Sequence, residues 1–235
     1  ALSTKNVTAT NLRLQAQNSI GVAGRHLTTN IDVVTSLAAT GSTYVTEDNA
    51  ATVDTVSVTV TDFNSDATTT EVTDAAQSDL TTGQNGNIVL VAKLGDITLN
   101  DGLVNDTAVS ANGTGNILID ALAGSITGNA DVLSGTGHIT LKADDNITLT
   151  EDVDVATAAP GTVSLDAETG FLLMHGTADI LAAGSSARLR AQGDITVGNV
   201  TATNVSIDSD AGSIINAALS TKNVTATNLR LQAQN

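Results

Sequence analysis

The chain has 235 residues, 41% of them apolar, so a sizeable core is within reach, but with Phe63, Phe171 and Tyr44 as its only Phe, Tyr or Trp it must be filled by Ile, Leu, Val and Ala. Nine Lys and Arg against 25 Asp and Glu give a formal net charge of −16, which speaks against a nucleic-acid surface and against binding an anionic membrane. The absence of cysteine excludes a disulfide framework and a thiolate metal site, and no apolar run approaches the roughly 20 residues of a membrane span.

Pro160 is the only proline, while Gly, Thr, Asn, Asp and Ser are abundant, a composition that favours short strands and tight turns over long helices. The chain opens on ALSTKNVTATNLRLQAQN, with no signal-peptide pattern. Residues 218–235 repeat residues 1–18 without a single change, an offset of 217. Chance does not produce such an identity, so residues 1–235 read as one segment of a tandem array, a little longer than one period and internal to something larger.

Within that period a looser motif recurs: apolar, any, apolar, any, small, then a turn and another apolar residue. Leu12-Leu14-Ala16 with Ile20 introduces it. The stretch from about 27 to 83 fits less well. It has room for about three coils, with strand-like runs at Tyr44-Val45 and Val53 to Val60. The very polar DFNSDATTTEVTDAAQSD follows, which predicts an irregular or protruding segment near 62–80.

From there the motif is regular. It reads Ile88-Leu90-Ala92 with Ile97, Ile117-Ile119-Ala121 with Ile126, Ile139-Leu141-Ala143 with Ile147, and Val163-Leu165-Ala167 with Phe171. Ala187-Leu189-Ala191 with Ile195 and Val205-Ile207-Ser209 with Ile214 follow, and Leu229-Leu231-Ala233 restarts the cycle. Successive motifs lie 29, 22, 24, 24, 18 and 24 residues apart, the length of one solenoid coil. Period-two alternation puts one face of each strand inward.

Gly95-Asp96, Gly124-Ser125, Gly193-Asp194 and Gly212-Ser213 mark the following corners, where a sharp turn favours residues that accept positive φ. A third short strand closes each rung at Ala130-Val132, Val153-Val155, Ala178-Ile180, Val200-Ala202 and Val224-Ala226. The fold expected is all-β: a three-faced parallel β-solenoid, or β-helix, of about nine coils, right-handed as parallel crossovers almost always are.

GDITLNDG, GHITLKADDNITLTEDVDV and LRAQGDITVGNV resemble the coils of large repetitive bacterial surface adhesins of the filamentous haemagglutinin type. NSIGVAGRHLTTNIDVVTSLAATGSTYVTEDN is similar to a recurring block of the same proteins. The resemblance implies a right-handed β-helix, export to the cell surface, and a role as stalk or adhesin. Host or neighbouring-cell surface glycans would be the partners of an adhesive one.

Some β-helices are pectate-lyase-like enzymes, so chemistry has to be weighed. His26, His138 and His175 lie far apart in different coils and read as solvated or turn histidines. The run Asp144-Asp145 to Glu151-Asp152-Asp154 offers carboxylates of the kind that hold Ca²⁺ but lacks GGxGxD or EF-hand spacing, and reads as a solvated corner. Sequons at Asn6, Asn105, Asn112, Asn146, Asn199, Asn204 and Asn223 are what an Asn- and Thr-rich chain produces by chance. Thr8-Thr10 and Thr201-Thr203 do not recur on consecutive coils.

No catalytic, cofactor-binding or metal residue is expected. The leading expectation is a structural or adhesive repeat of an extracellular filament, partnered by copies of itself stacked end to end. The alternatives are a carbohydrate-binding surface module and a polysaccharide-degrading β-helix enzyme. In-register stacking further predicts a ladder of alternating charge through Asp120, Lys142, Asp166, Arg190 and Asp208. It also predicts a buried column through Leu90, Ile119, Leu141, Leu165, Leu189 and Ile207, and an axial repeat of roughly 43 Å at about 4.8 Å per coil.

Overall fold

The computed structural model describes residues 5–103, 105–217 and 222–234. Among them there is no helix; 24 strands join in one sheet whose pairings are all parallel, and two more form a separate hairpin. The chain winds as a parallel β-solenoid whose strands fall into three columns.

The first face begins with Val7–Thr8, Leu27–Asn30, Thr43–Glu47, Ile88–Ala92 and Ile117–Ala121, each hydrogen-bonded to the next. Ile139–Ala143, Val163–Ala167, 187–191, 204–209 and Asn228–Ala233 continue it. The second face stacks Ala51–Val53, Ile97–Leu99, Ile126–Gly128, Ile147–Leu149, Leu172–Met174, Ile195–Val197 and Ile214–Asn216. The third stacks Leu80–Thr82, Thr107–Ala111, Asp131–Ser134, Asp154–Ala158, 179–183, 199–202 and Val224–Thr225. Near the start, Asn11–Ala16 and Val33–Ala38 lie side by side and run unbroken across the second and third faces.

The alternation read from the motifs is the alternation of burial. Ile88–Ala92, Ile117–Ala121, Ile139–Ala143 and Val163–Ala167 each alternate between buried and half-buried positions, starting and ending buried. Leu90, Ile119, Leu141, Leu165, Leu189 and Ile207 are at most 1% exposed and form the expected column. Each stacks directly on the next because the register matches residue for residue.

Four expectations change. Phe171 is 42% exposed, and Leu172 takes the inward place opposite Ile147, because the turn at Thr169-Gly170-Phe171 is one residue longer than its neighbours. The protruding segment is an antiparallel hairpin, Thr59–Phe63 with Thr69–Thr73, rather than 62–80, since Leu80 is 1% exposed and already belongs to the third face. Val53 to Val60 is accordingly two strands, ending at Val53 and restarting at Thr59.

The corner glycines are mostly explained by space. Of the four named, only Gly95 has positive φ, +95°, whereas a Cβ on Gly124 would lie 2.4 Å from the carbonyl of Gly95 one coil below. The fourth change concerns the duplicated segment. Leu12-Leu14-Ala16 lies where the second and third faces begin, while its copy Leu229-Leu231-Ala233 lies on the first. From Val7 on the first face to Val224 on the third the chain makes eight turns and two faces, so the 217-residue period ends a third of a turn short of nine coils.

Candidate functional site

Three kinds of side chain carry chemistry here: the histidines, the acids, and the outward rows of the faces. His26 Nδ1 lies 2.8 Å from Thr46 Oγ1, His138 Nδ1 2.9 Å from Thr162 Oγ1, and His175 Nδ1 2.9 Å from Thr177 Oγ1. Each is thus engaged with a threonine in or beside its own coil, and the structure brings no two histidines together. Ring stacking of His26 on Tyr44, with centroids 5.5 Å apart, fixes one more edge of this pairing.

The acidic run also disperses. Asp144 and Asp145 occupy the corner after the first face, Glu151 and Asp152 the next corner, and Asp154 starts a third-face strand. Among the described residues no group of three or more His, Asp or Glu is placed to hold a metal ion.

Asp154 belongs also to a second set of acids. Asp79, Asp131 and Asp154 lie along the third face and its leading corner, and all three carboxyls are pushed above the ordinary range, chiefly by burial. Neighbouring acids add to it: Asp101 and Asp54 beside Asp79, Asp154 and Asp106 beside Asp131, Asp179 and Asp152 beside Asp154. Asp79 is the most enclosed, at 6% exposure. Its Oδ2 accepts from Asn105 Nδ2 at 3.0 Å while its Oδ1 has no partner.

The charge ladder stacks in the expected register, Asp120 beside Lys142, Lys142 beside Asp166, Asp166 beside Arg190 and Arg190 beside Asp208. The ion pairs formed are not simply those of the ladder. Lys142 reaches Glu168 at 3.1 Å, and Arg190 bridges Asp166 at 3.4 Å and Asp210 at 2.6 Å. Asp120 is left with one buried, unpartnered oxygen, and burial raises its carboxyl against the pull of Lys142.

A row of threonines runs up the outward side of the second face. Thr52, Thr98, Thr127 and Thr148 stack on four consecutive coils of the second face, Leu173 interrupts them, and Thr196 resumes the row. The signal was the central residue of Ile97-Thr98-Leu99, Ile126-Thr127-Gly128 and Ile147-Thr148-Leu149. At the end of third-face strands, Thr82, Ser134 and Thr157 donate their buried hydroxyls to the Gly86, Gly115 and Gly137 carbonyls at 2.7–2.8 Å, and Ser209, at the end of a first-face strand, donates to the Gly193 carbonyl at 2.9 Å.

Concave surface is shallow. A groove of about 490 Å³ over Thr81–Gly83, Ser110–Gly113 and Leu133–Gly135 is lined without a titratable side chain. Another, about 370 Å³, has Glu151 and His175 at the rim of an apolar floor made by Leu149, Leu173 and Met174. No family model, no curated protein and no solved structure matches this chain.

Proposed function

We propose that the chain is a structural repeat of an extracellular filament or giant cell-surface protein, in which copies stacked end to end form a rigid stalk. The observation that carries this reading is the return of residues 1–18 as 218–235, with the described parts of both copies built into the same three-faced ladder. A parallel ladder with matched register stiffens along its axis, because each coil is hydrogen-bonded to the coils on both sides. The acidic surface keeps such rods apart in solution.

Resemblance to adhesin coils supports a place at the cell surface and an adhesive use of the stalk, with surface glycans as partners. Electron microscopy of the purified protein tests the reading. Rods with an axial repeat of about 42 Å per 217 residues, at roughly 4.8 Å per coil, are expected. Compact particles that never associate end to end would defeat the stalk and favour an isolated binding module.

A further inference from the structure

We infer that the corner where the hairpin leaves and re-enters the solenoid is a calcium site, with the Asp79 and Asp101 carboxylates and the Thr55 hydroxyl as its ligands. The site is independent of the stacking proposed above and needs no second molecule.

It follows from the way one coil is interrupted. The chain passes from the second face at Ile97–Leu99 to the third at Thr107–Ala111 through a short corner. In the preceding coil that corner is opened: the chain leaves the second face after Ala51–Val53, runs out along the hairpin and rejoins the third face at Leu80–Thr82. Asp54 and Asp79 therefore flank the excursion on its way out and its way back, and Val56 and Gln77 exchange backbone hydrogen bonds between them. Asp101 stands at the same corner one coil on, since Val53 pairs with Leu99.

The three segments touch. A Cβ on Gly102 would lie 2.5 Å from Thr55 Oγ1 and 2.7 Å from Ser78 Cβ, so the neighbours of Asp101, Asp54 and Asp79 are packed against one another. Asn105 ties two of the acids together, its side-chain amide donating to Asp79 Oδ2 at 3.0 Å and its N–H to Asp101 Oδ1 at 3.2 Å. Asp54 is engaged at both oxygens, by the Thr55 N–H at 2.6 Å and by Asn100 Nδ2 at 2.9 Å, and so supplies charge rather than a ligand.

Two oxygens at this corner are left without a donor. Asp79 is 6% exposed, yet its Oδ1 has no hydrogen-bond partner, and neither has the buried Thr55 Oγ1. Among the described residues only five buried side-chain polar atoms stand so, which makes two at one corner a pointed coincidence. A water could bond to both oxygens but would leave the mutual repulsion in place, and Asp101 and Asp54 do hold the Asp79 carboxyl up, in addition to the larger effect of burial. A cation satisfies the oxygens and removes the repulsion together.

The donor set selects the ion. It is all oxygen, partly neutral and drawn from three separate segments, which suits calcium with its six to eight flexible ligands better than magnesium with its strict octahedron. Nowhere among the described residues are three His, Asp or Glu set to hold an ion by themselves. This site uses two carboxylates and completes its shell with Thr55 and water, which places its dissociation constant at about 10⁻⁴ M. A bound ion would clamp the base of the hairpin to the coil beside it.

The full chain, stripped with chelator and titrated with CaCl2 at constant ionic strength, tests this. About 10 mM CaCl2 should raise the melting temperature by about 5 °C, with one ion taken up per chain in calorimetric titration, and MgCl2 should give less than half that shift. Asp79→Asn, no less stable than the parent in chelator, should lose the response, so that calcium reverses the order of the two chains. Asp101→Asn should lose it as well, whereas Asp145→Asn, at an acidic corner elsewhere, should keep it in full. No shift in the parent, an equal shift with MgCl2, or a full shift in either Asp79→Asn or Asp101→Asn would overturn the site.

Discussion

The coils from Ile88 to Ser209 and those from Ile20 to Thr82 solve the same packing problem differently. The later coils bury Ile, Leu, Val and Ala in columns, with Ser134 and Thr157 at the end of third-face strands and Ser209 at the end of a first-face strand as their buried polar residues. The earlier coils bury Thr29, Thr35, Ser36, Thr43, Glu47, Asp79 and Thr82.

Glu47, fully enclosed, organises part of this interior: its carboxylate accepts from the Thr29 hydroxyl, from the Ile31 N–H at 3.2 Å and from the Asn49 N–H at 3.1 Å. An apolar column tolerates coils of unequal length, since any inward aliphatic group packs on the next. A polar interior holds only while each partner is in place. It is also here that the chain leaves the body for its hairpin, whose base is tied back by Gln77, donating to the Leu14 carbonyl at 3.0 Å and to Thr35 Oγ1 at 3.2 Å.

The comparison breaks first in the apolar coils. Leu141→Asp places an unpaired carboxylate between Ile119 and Leu165, and should cost about 4 kcal/mol, read as a fall in melting temperature of about 10 °C by calorimetry. A shift of a degree or two would show that the column does not set stability.

In the earlier coils, Glu47→Ala removes the acceptor of three donors and should cost about 3 kcal/mol, whereas Glu47→Gln keeps an acceptor oxygen and should lose less than half of that in denaturant titrations. Equal losses would mean that packing volume, and not the hydrogen bonds, holds that coil.

The sign reverses at Asp79, where Asp79→Asn should add about 1 kcal/mol at pH 7. Asn keeps the contact to Asn105, removes a charge beside Asp54 and Asp101, and is at ease with the φ of +67° found there. Because burial raises the carboxyl above its unfolded value, the native state binds the proton more readily, and the stability it contributes is present at low pH and lost as pH rises through the folded value. The advantage of the variant should therefore be greatest near neutrality and vanish by about pH 3, followed by melting temperature against pH. The smallest effect belongs to the charge ladder: Arg190→Ala, which gives up half-exposed pairs with Asp166 and Asp210, should cost about 0.5 kcal/mol, and less in high salt.

How far the sequence could be read follows the same division. The inward residues of the later coils were legible because aliphatic residues alternate with polar ones there, and the outward register of Asp120, Lys142, Asp166, Arg190 and Asp208 followed from it. The earlier coils were opaque because Thr29, Ser36, Thr43 and Glu47 occupy inward places, and polar residues there erase the period-two signal. Phe171 misled because the longer turn shifts its phase by one residue. Stacking of Ala130-Val132 on Val153-Val155 already places Asp131 beside Asp154, whereas the buried Asp79 lies after the hairpin, where the coil pattern is lost.

The hairpin of Thr59–Phe63 and Thr69–Thr73 is exposed along both strands and carries Phe63, 77% exposed, at its outer end. Its direction is fixed by the coil that anchors it, and the 217-residue period closes a third of a turn short of nine coils. In a stack of such units successive hairpins would differ in azimuth by about 120°, and the first direction would recur only after three units, about 125 Å along the axis at roughly 4.8 Å per coil. A rod built this way presents the same pendant to every side in turn, so a flat partner laid against it would meet one hairpin in three.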